Sequence, residues 1–307
     1  MTAPRRLVLI LAASIALCLL AAACDASPYA AVVDGQTIKT LQLNQVLGEW
    51  SANSAVVAAQ ARAGSPILGD GGPGTYSKSF TDFVLDQLIV ADAVHQYLAR
   101  TGQLPSAQMV AAARGFYEGE AQAYMWYGYP PALRQFLAQS LAEQAVLVAP
   151  LADKTPILGY YKTLSRYMFT SICVVYASAF RRDQAEALAA SGVPNGARVC
   201  FDQASLEAQP PAFRAAALSV GVSQVAAPFR TSFGYEVLKV VSKAQVPFDT
   251  DTQKVLSALY DFQNHQQPPA LLKVLSSARV KLNPAYGTWQ ASSASVVPPN
   301  PPGTTGQ

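Results

Sequence analysis

Apolar and polar positions along this chain fall into three textures. The first is an uncharged run of seventeen residues, Leu7 to Ala23, slightly short of the ~20 that span a membrane. The second is helical. After an extended stretch at Tyr29–Val33, Asp34-Gly35 is a hairpin signal and Gln36-Thr37-Ile38 returns. Thr40 is placed to cap a helix carrying Leu43, Val46, Leu47 and Trp50 at helical spacing. Gly64 to Gly74 holds five glycines and two prolines, a loop without the Gly-Lys-Ser/Thr ending of a phosphate-binding loop. Phe80, Phe83, Val84, Leu88 and Val94 predict a long helix over 77–100. Two more helices, 105–127 and 131–149, open near prolines. A hinge at Pro150 and Pro156 precedes a short helix at 160–167.

The third texture begins at Met168. Ile172-Cys173-Val174-Val175-Tyr176 is apolar and β-branched, hence a strand. A helix over 181–191, a strand at 198–201, a helix at 211–218 and a strand at 235–241 complete a β-α-β-α-β unit over 168–243. Helical spacing returns at 251–265 and 269–278, followed by a strand at 279–282. The strands near Val32 and Val280 are suited to pair, which would close one body, 24–167 with 244–289, around the middle unit. The Ser/Pro-rich stretch 290–307 reads as disordered. The expected class is α+β, mostly helical, with a small inserted β-α-β-α-β domain.

Composition narrows function. With 51% hydrophobic and 13% charged residues, most of the chain should fold. Setting Arg5 and Arg6 aside leaves 20 basic against 19 acidic residues, or +1, with no basic stripe. Nucleic acid is therefore a poor partner. His95 and His265 are the two histidines, which disfavours a multi-histidine metal site, and no cofactor is implied. His95 falls mid-helix and reads as solvated or hydrogen-bonded. Tyr124, Trp126, Tyr127 and Tyr129 suit either helix packing or a peptide groove.

Met1 to Arg6 is basic, and the apolar run closes on Leu20-Ala21-Ala22-Ala23-Cys24, so 1–23 reads as a signal peptide. A cysteine after small residues resembles a bacterial lipobox, with Ala21 where leucine is usual. That makes Cys24 the lipidation site of a membrane-anchored protein; ordinary cleavage and a retained single span are the alternatives. Each places the remainder outside the cytoplasm. Cys18 belongs to the leader, so Cys173 and Cys200 are left in an oxidising compartment, as a disulfide or as two buried thiols.

Phe233-Gly234-Tyr235-Glu236-Val237-Leu238, after Val222-Ser223-Gln224 and Pro228-Phe229-Arg230-Thr231, resembles the end of a parvulin-type peptidyl-prolyl isomerase domain. Ala212-Phe213 through Leu218 and Gly221 is similar to that family's Phe-helix-Leu element, and Gly196 to Phe201 to the start of its second strand. The segment 30–47 is similar to the opening of SurA- and PrsA-type foldases, which join a helical chaperone domain to a parvulin domain. The resemblance implies an extracytoplasmic foldase that binds unfolded or translocating polypeptides. It also implies a proline pocket at Phe213 and Thr231, with Gln209 at the usual Met or Leu position. Registered on the family, the two catalytic histidine positions fall on Tyr176 and Glu236, and the loop carrying the family's Asp or Cys shrinks to 192–195. The expected outcome is a chaperone with a weak or inactive isomerase domain. Two rivals are a structural lipoprotein dedicated to one envelope partner and a working isomerase.

Overall fold

The computed structural model describes residues 29–71, 74–119, 123–193, 196–264 and 268–298. Residues 1–28, with the lipidation site expected at Cys24 and with Cys18, as well as His265 and the residues from 299, lie outside them.

The chain runs β1 (Tyr29–Val33), β2 (Gln36–Lys39), α1 (Thr40–Ser51), α2 (Ser54–Arg62), α3 (Lys78–Thr101), α4 (Ala107–Gly119), α5 (Ala123–Tyr127), α6 (Pro131–Val146) and α7 (Thr155–Leu164). It continues through β3 (Phe169–Ala179), α8 (Arg182–Ala190), β4 (Ala197–Phe201), α9 (Gln203–Glu207), α10 (Pro211–Ser219), β5 (Phe229–Thr231) and β6 (Gly234–Gln245). Last come α11 (Thr250–Gln263), α12 (Pro269–Ser277), β7 (Val280–Leu282), β8 (Thr288–Gln290) and β9 (Ser295–Val297). The protein is α+β and mostly helical.

Three sheets organise these elements, in strand orders β2-β1-β7, β4-β3-β6-β5 and β8-β9. In the first, Asp34 and Gly35 both take positive φ, 48° and 93°, the geometry a two-residue hairpin needs. The early strand β1 and the late strand β7 meet there, with Val32 opposite Lys281 and Val33 opposite Val280. The sheet packs on α1, α3 and α12 through Val33, Leu43, Leu47, Leu85, Ile89 and Leu275, all buried. Ser77 starts α3 by accepting the Phe80 N–H, and Gly102 ends it in the left-handed region. A second core joins α4, α6, α7 and α11 around Ala112, Phe116, Ile157 and Leu256.

The middle sheet is antiparallel throughout. One face packs on α9 and α10 through Ile172, Val174, Leu206, Phe213 and Leu238; the other covers Ala185 of α8 with Val193 and Val237. Cys173 and Cys200 face each other across β3 and β4. They form a disulfide, with Cα atoms 4.0 Å apart.

The structure departs from the sequence reading at several points. Lys39, not Thr40, is the N-cap of α1, and it makes no side-chain cap bond. Within the span 105–127 the described residues form α4 and α5, both helical as expected. At Gly119 a Cβ would run into Leu164 and Tyr167, so the glycine is a close-approach position between α4 and α7. The middle unit gains α9 and the short edge strand β5 beyond β-α-β-α-β. Residues 288–297, whose part from 290 was expected to be disordered, form a hairpin. Val296 is buried and its N–H donates to Asp86 Oδ1 at 2.6 Å. Serine and proline content hides this short alternation, which is held to the helical core through Val296, Trp289 and the bond to Asp86 of α3.

Candidate functional site

Alternation along β3 and β6 puts Tyr176, Leu238 and Glu236 on the side of the middle sheet that α10 covers. Tyr176 pairs with Leu238, and Glu236 pairs with Ser178 on one side and Phe229 on the other. The structure thus brings the two resemblance-derived positions to one face beside Phe213. Phe213 is 4% exposed. Its ring meets Tyr176 at 5.5 Å, Phe201 at 5.6 Å and Phe229 at 6.1 Å between centroids, each nearly perpendicular. Edge-to-face pairs contribute about 0.5–1.5 kcal/mol each beyond their burial, so Phe213 is held by the protein's own rings.

Polar groups of this face are spent on local structure. The Thr231 hydroxyl accepts the Phe233 N–H and donates to the Gly234 carbonyl, which closes the β5–β6 hairpin. Gln209 lies in the turn between α9 and α10, where its amide donates to the Ser205 carbonyl. Glu236 is half-buried, and loss of solvent raises its carboxyl above the usual range. Among the described residues it has no ion-pair partner. Gly234 takes φ 131°, and a Cβ there would lie 2.5 Å from the Ala179 carbonyl oxygen. The glycine of the Phe-Gly-Tyr motif is therefore a close-approach position between β6 and β3.

Sequence reasoning missed the densest charge cluster, where the middle unit meets the helices. Glu207, at the end of α9, is 2.8 Å from Arg114 of α4 and 3.3 Å from Arg134 of α6, with all three side chains buried. Trp126 Nε1 donates to Glu207 at 3.1 Å. Arg214 Nη1 donates to the Glu207 carbonyl, and its guanidinium lies 3.7 Å from the Tyr127 ring centre. Burial, together with a hydrogen bond to Glu207 and that residue's charge, pushes the Glu118 carboxyl well above its usual range. The aromatic residues expected to pack or to line a groove are packing: Trp126 stacks on Tyr117 at 4.7 Å and Tyr129 meets Trp50 at 5.3 Å. The side chain of Tyr124 lies outside the description. Neither end of this network has a local motif; only the tertiary fold unites it.

An open cleft of about 480 Å³ lies between β2, α3 and α6. Its floor holds His95, whose Nδ1 is 2.8 Å from Oε1 of Glu143. The sequence left His95 without a partner because the partner sits on another helix. A second cleft, about 320 Å³, is lined by Trp50, Val56, Ile67, Phe80 and Phe83.

No family model and no curated protein matches this chain. Its structural neighbours are SurA-like chaperones and PrsA peptidyl-prolyl isomerases. A SurA-like chaperone from Campylobacter jejuni is 12% identical, covers 84% of this chain and 100% of its own, and has a TM-score of 0.23. PrsA from Bacillus subtilis is 14% identical over 65% of this chain and 84% of its own, at 0.24. The peptidylprolyl isomerase PrsA of Bacillus cereus is 15% identical over 83% and 93%, at 0.23. Likenesses this loose carry no argument of their own, and the case for function rests on the chain's residues.

Proposed function

We propose that this protein is an extracytoplasmic foldase that holds unfolded or exported polypeptides, and that its middle unit, 168–243, is a parvulin-like domain without an isomerase site. The observation that carries the reading is Phe213 walled in by Tyr176, Phe201 and Phe229. In the resembled family that residue lines the proline pocket between two histidines. Here Tyr176 occupies one histidine position with a ring packed on Phe213, and Glu236 puts a carboxyl at the other. Prolyl isomerisation has to overcome ~20 kcal/mol of amide resonance. Binding that is equal in ground and transition states gives affinity without rate.

The Cys173–Cys200 disulfide supports an oxidising compartment, as does a leader over 1–23 that stops just before Cys24. No described helix is long and apolar enough to cross a membrane. The small residues before Cys24 support membrane attachment by acylation of that thiol, where each buried CH₂ contributes about 0.8 kcal/mol.

Two assays on the purified chain test this reading. Light scattering of a denatured client diluted into buffer should rise more slowly with the protein present. Isomerisation of a Xaa-Pro peptide should stay close to the uncatalysed rate. Strong isomerisation that collapses in Phe213→Ala would restore an active enzyme, and a client that aggregates at its unassisted rate would remove the chaperone reading.

A further inference from the structure

The cleft between β2, α3 and α6 has the features of a site for extended polypeptide. β2 is an edge strand of its sheet. Its hairpin has a two-residue turn, so the flanking pair Val33–Gln36 exchanges hydrogen bonds and the next pair, Val32–Thr37, does not. The N–H and C=O of Thr37 therefore point to the open side of the sheet, and Thr37 is exposed. Thr37 also lines the cleft, with Gln42 beside it. An unpaired strand edge is a template for another strand.

The opposite wall is acidic. Glu143 of α6 is 3% exposed, and its described hydrogen bonds, from His95 Nδ1 and Gln139 Nε2, both fall on Oε1. Among the described residues Oε2 accepts none, and it is not one of the fully buried atoms left without a partner, so it is open to a donor from the cleft. Asp92 of α3 adds a second carboxyl to the lining, raised from its usual range by burial. His95 is the one basic side chain on these walls, and its ring is half-exposed. No three metal-ligating side chains gather among the described residues. The volume, about 480 Å³, is that of a site for a short segment rather than for an ion.

We propose that this cleft binds an extended client segment that adds to β2 as a fourth strand, through Thr37, and delivers a lysine or arginine side chain to Glu143 Oε2. The proposal rests on the polypeptide-holding reading and specifies where and what the protein holds.

The test is fluorescence anisotropy with the full chain and a short labelled peptide alternating valine and threonine around a central lysine. Glu143→Gln should weaken the lysine peptide by about tenfold, the loss of one charge-assisted hydrogen bond, and leave its norleucine counterpart unchanged. Thr37→Pro removes the outward N–H without touching the β1 ladder and should weaken both peptides several-fold. Should that variant fail to fold, N-methylation of the peptide backbone probes the same bond on the unaltered protein.

The proposal falls if the unaltered chain does not bind the lysine peptide, if an acidic peptide or butylamine binds as well, or if neither substitution matters. Binding that emerges only after removal of residues 1–28 would seat the chain's own N-terminal segment there and also overturn it. Retained protection of denatured clients alongside any of these results would leave the holding function intact and remove this site; loss of that protection would remove the function itself.

Discussion

Two concave regions of this molecule have opposite fates. On the middle sheet, the face to which the parvulin resemblance assigns a proline pocket is filled by four aromatic rings, and its hydroxyl and amide groups close local turns. Between β2, α3 and α6, a cleft of comparable standing in the fold stays open, with an unpaired strand edge on one side and an incompletely bonded carboxyl on the other. A catalytic surface must keep polar groups in register and unspent; a holding surface needs accessible backbone and tolerant side chains. The face of the middle sheet has spent its hydroxyl and amide groups locally, and the cleft of the helical body leaves backbone of β2 accessible.

That contrast presumes that the two regions are fastened together, and the fastening is the first place to attack it. Glu207→Ala leaves Arg114 and Arg134 buried without their shared carboxylate, which should cost about 3–5 kcal/mol, measured by urea unfolding. A loss below ~1 kcal/mol would mean that the middle unit is stable without its junction. Separating the fates further, Cys173→Ser with Cys200→Ser removes a cross-link between residues 27 apart in sequence. The chain-entropy model puts the expected loss at about 3–4 kcal/mol. Amide exchange should accelerate in β3, β4 and β6 and stay unchanged in β1, β2 and α3. Equal acceleration in both regions would show one cooperative unit in place of two.

The smallest effect concerns proton linkage at the junction. Burial and Glu207 raise Glu118 well above its ordinary value near 4.5, so the unfolded chain releases this proton at lower pH than the folded one. The stabilising contribution is complete below that ordinary value and declines as pH rises toward the folded value. Glu118→Gln keeps an amide that can donate to Glu207 and should flatten the decline, shifting stability at neutral pH by about 1 kcal/mol or less. An unchanged pH profile in thermal unfolding would locate the proton elsewhere.

Much of this architecture is legible locally. Asp34-Gly35 marks its hairpin because φ > 0 at both positions leaves few residue choices. With Cys18 in the expected leader and Cys24 in the expected anchor, Cys173 and Cys200 remain as the pair that the structure joins, and the strand near Val280 is legible in the alternation of Val280 and Leu282 with charged neighbours. Phe233-Gly234-Tyr235 points to the face on which Tyr176, Glu236 and Phe213 gather. What stayed hidden depends on distant partners. Arg114, Trp126, Arg134 and Glu207 have no mutual spacing signal, so the junction exists only after folding. The residues 54–62 that form α2 carry a shallow apolar pattern, and Val56 alone is buried there. The 288–297 hairpin is stabilised by Asp86, which no composition window relates to it. The cleft requires knowing that β2 is an edge, and that is a property of strand order, not of the strand.

The most direct test of the contrast is hydrogen exchange on the full chain, read by mass spectrometry, with and without a saturating unfolded client. The account predicts new protection in 36–39 and 132–143, and none at 174–178 or 229–238. Protection confined to those middle strands would place client binding on the aromatic-filled face and contradict it.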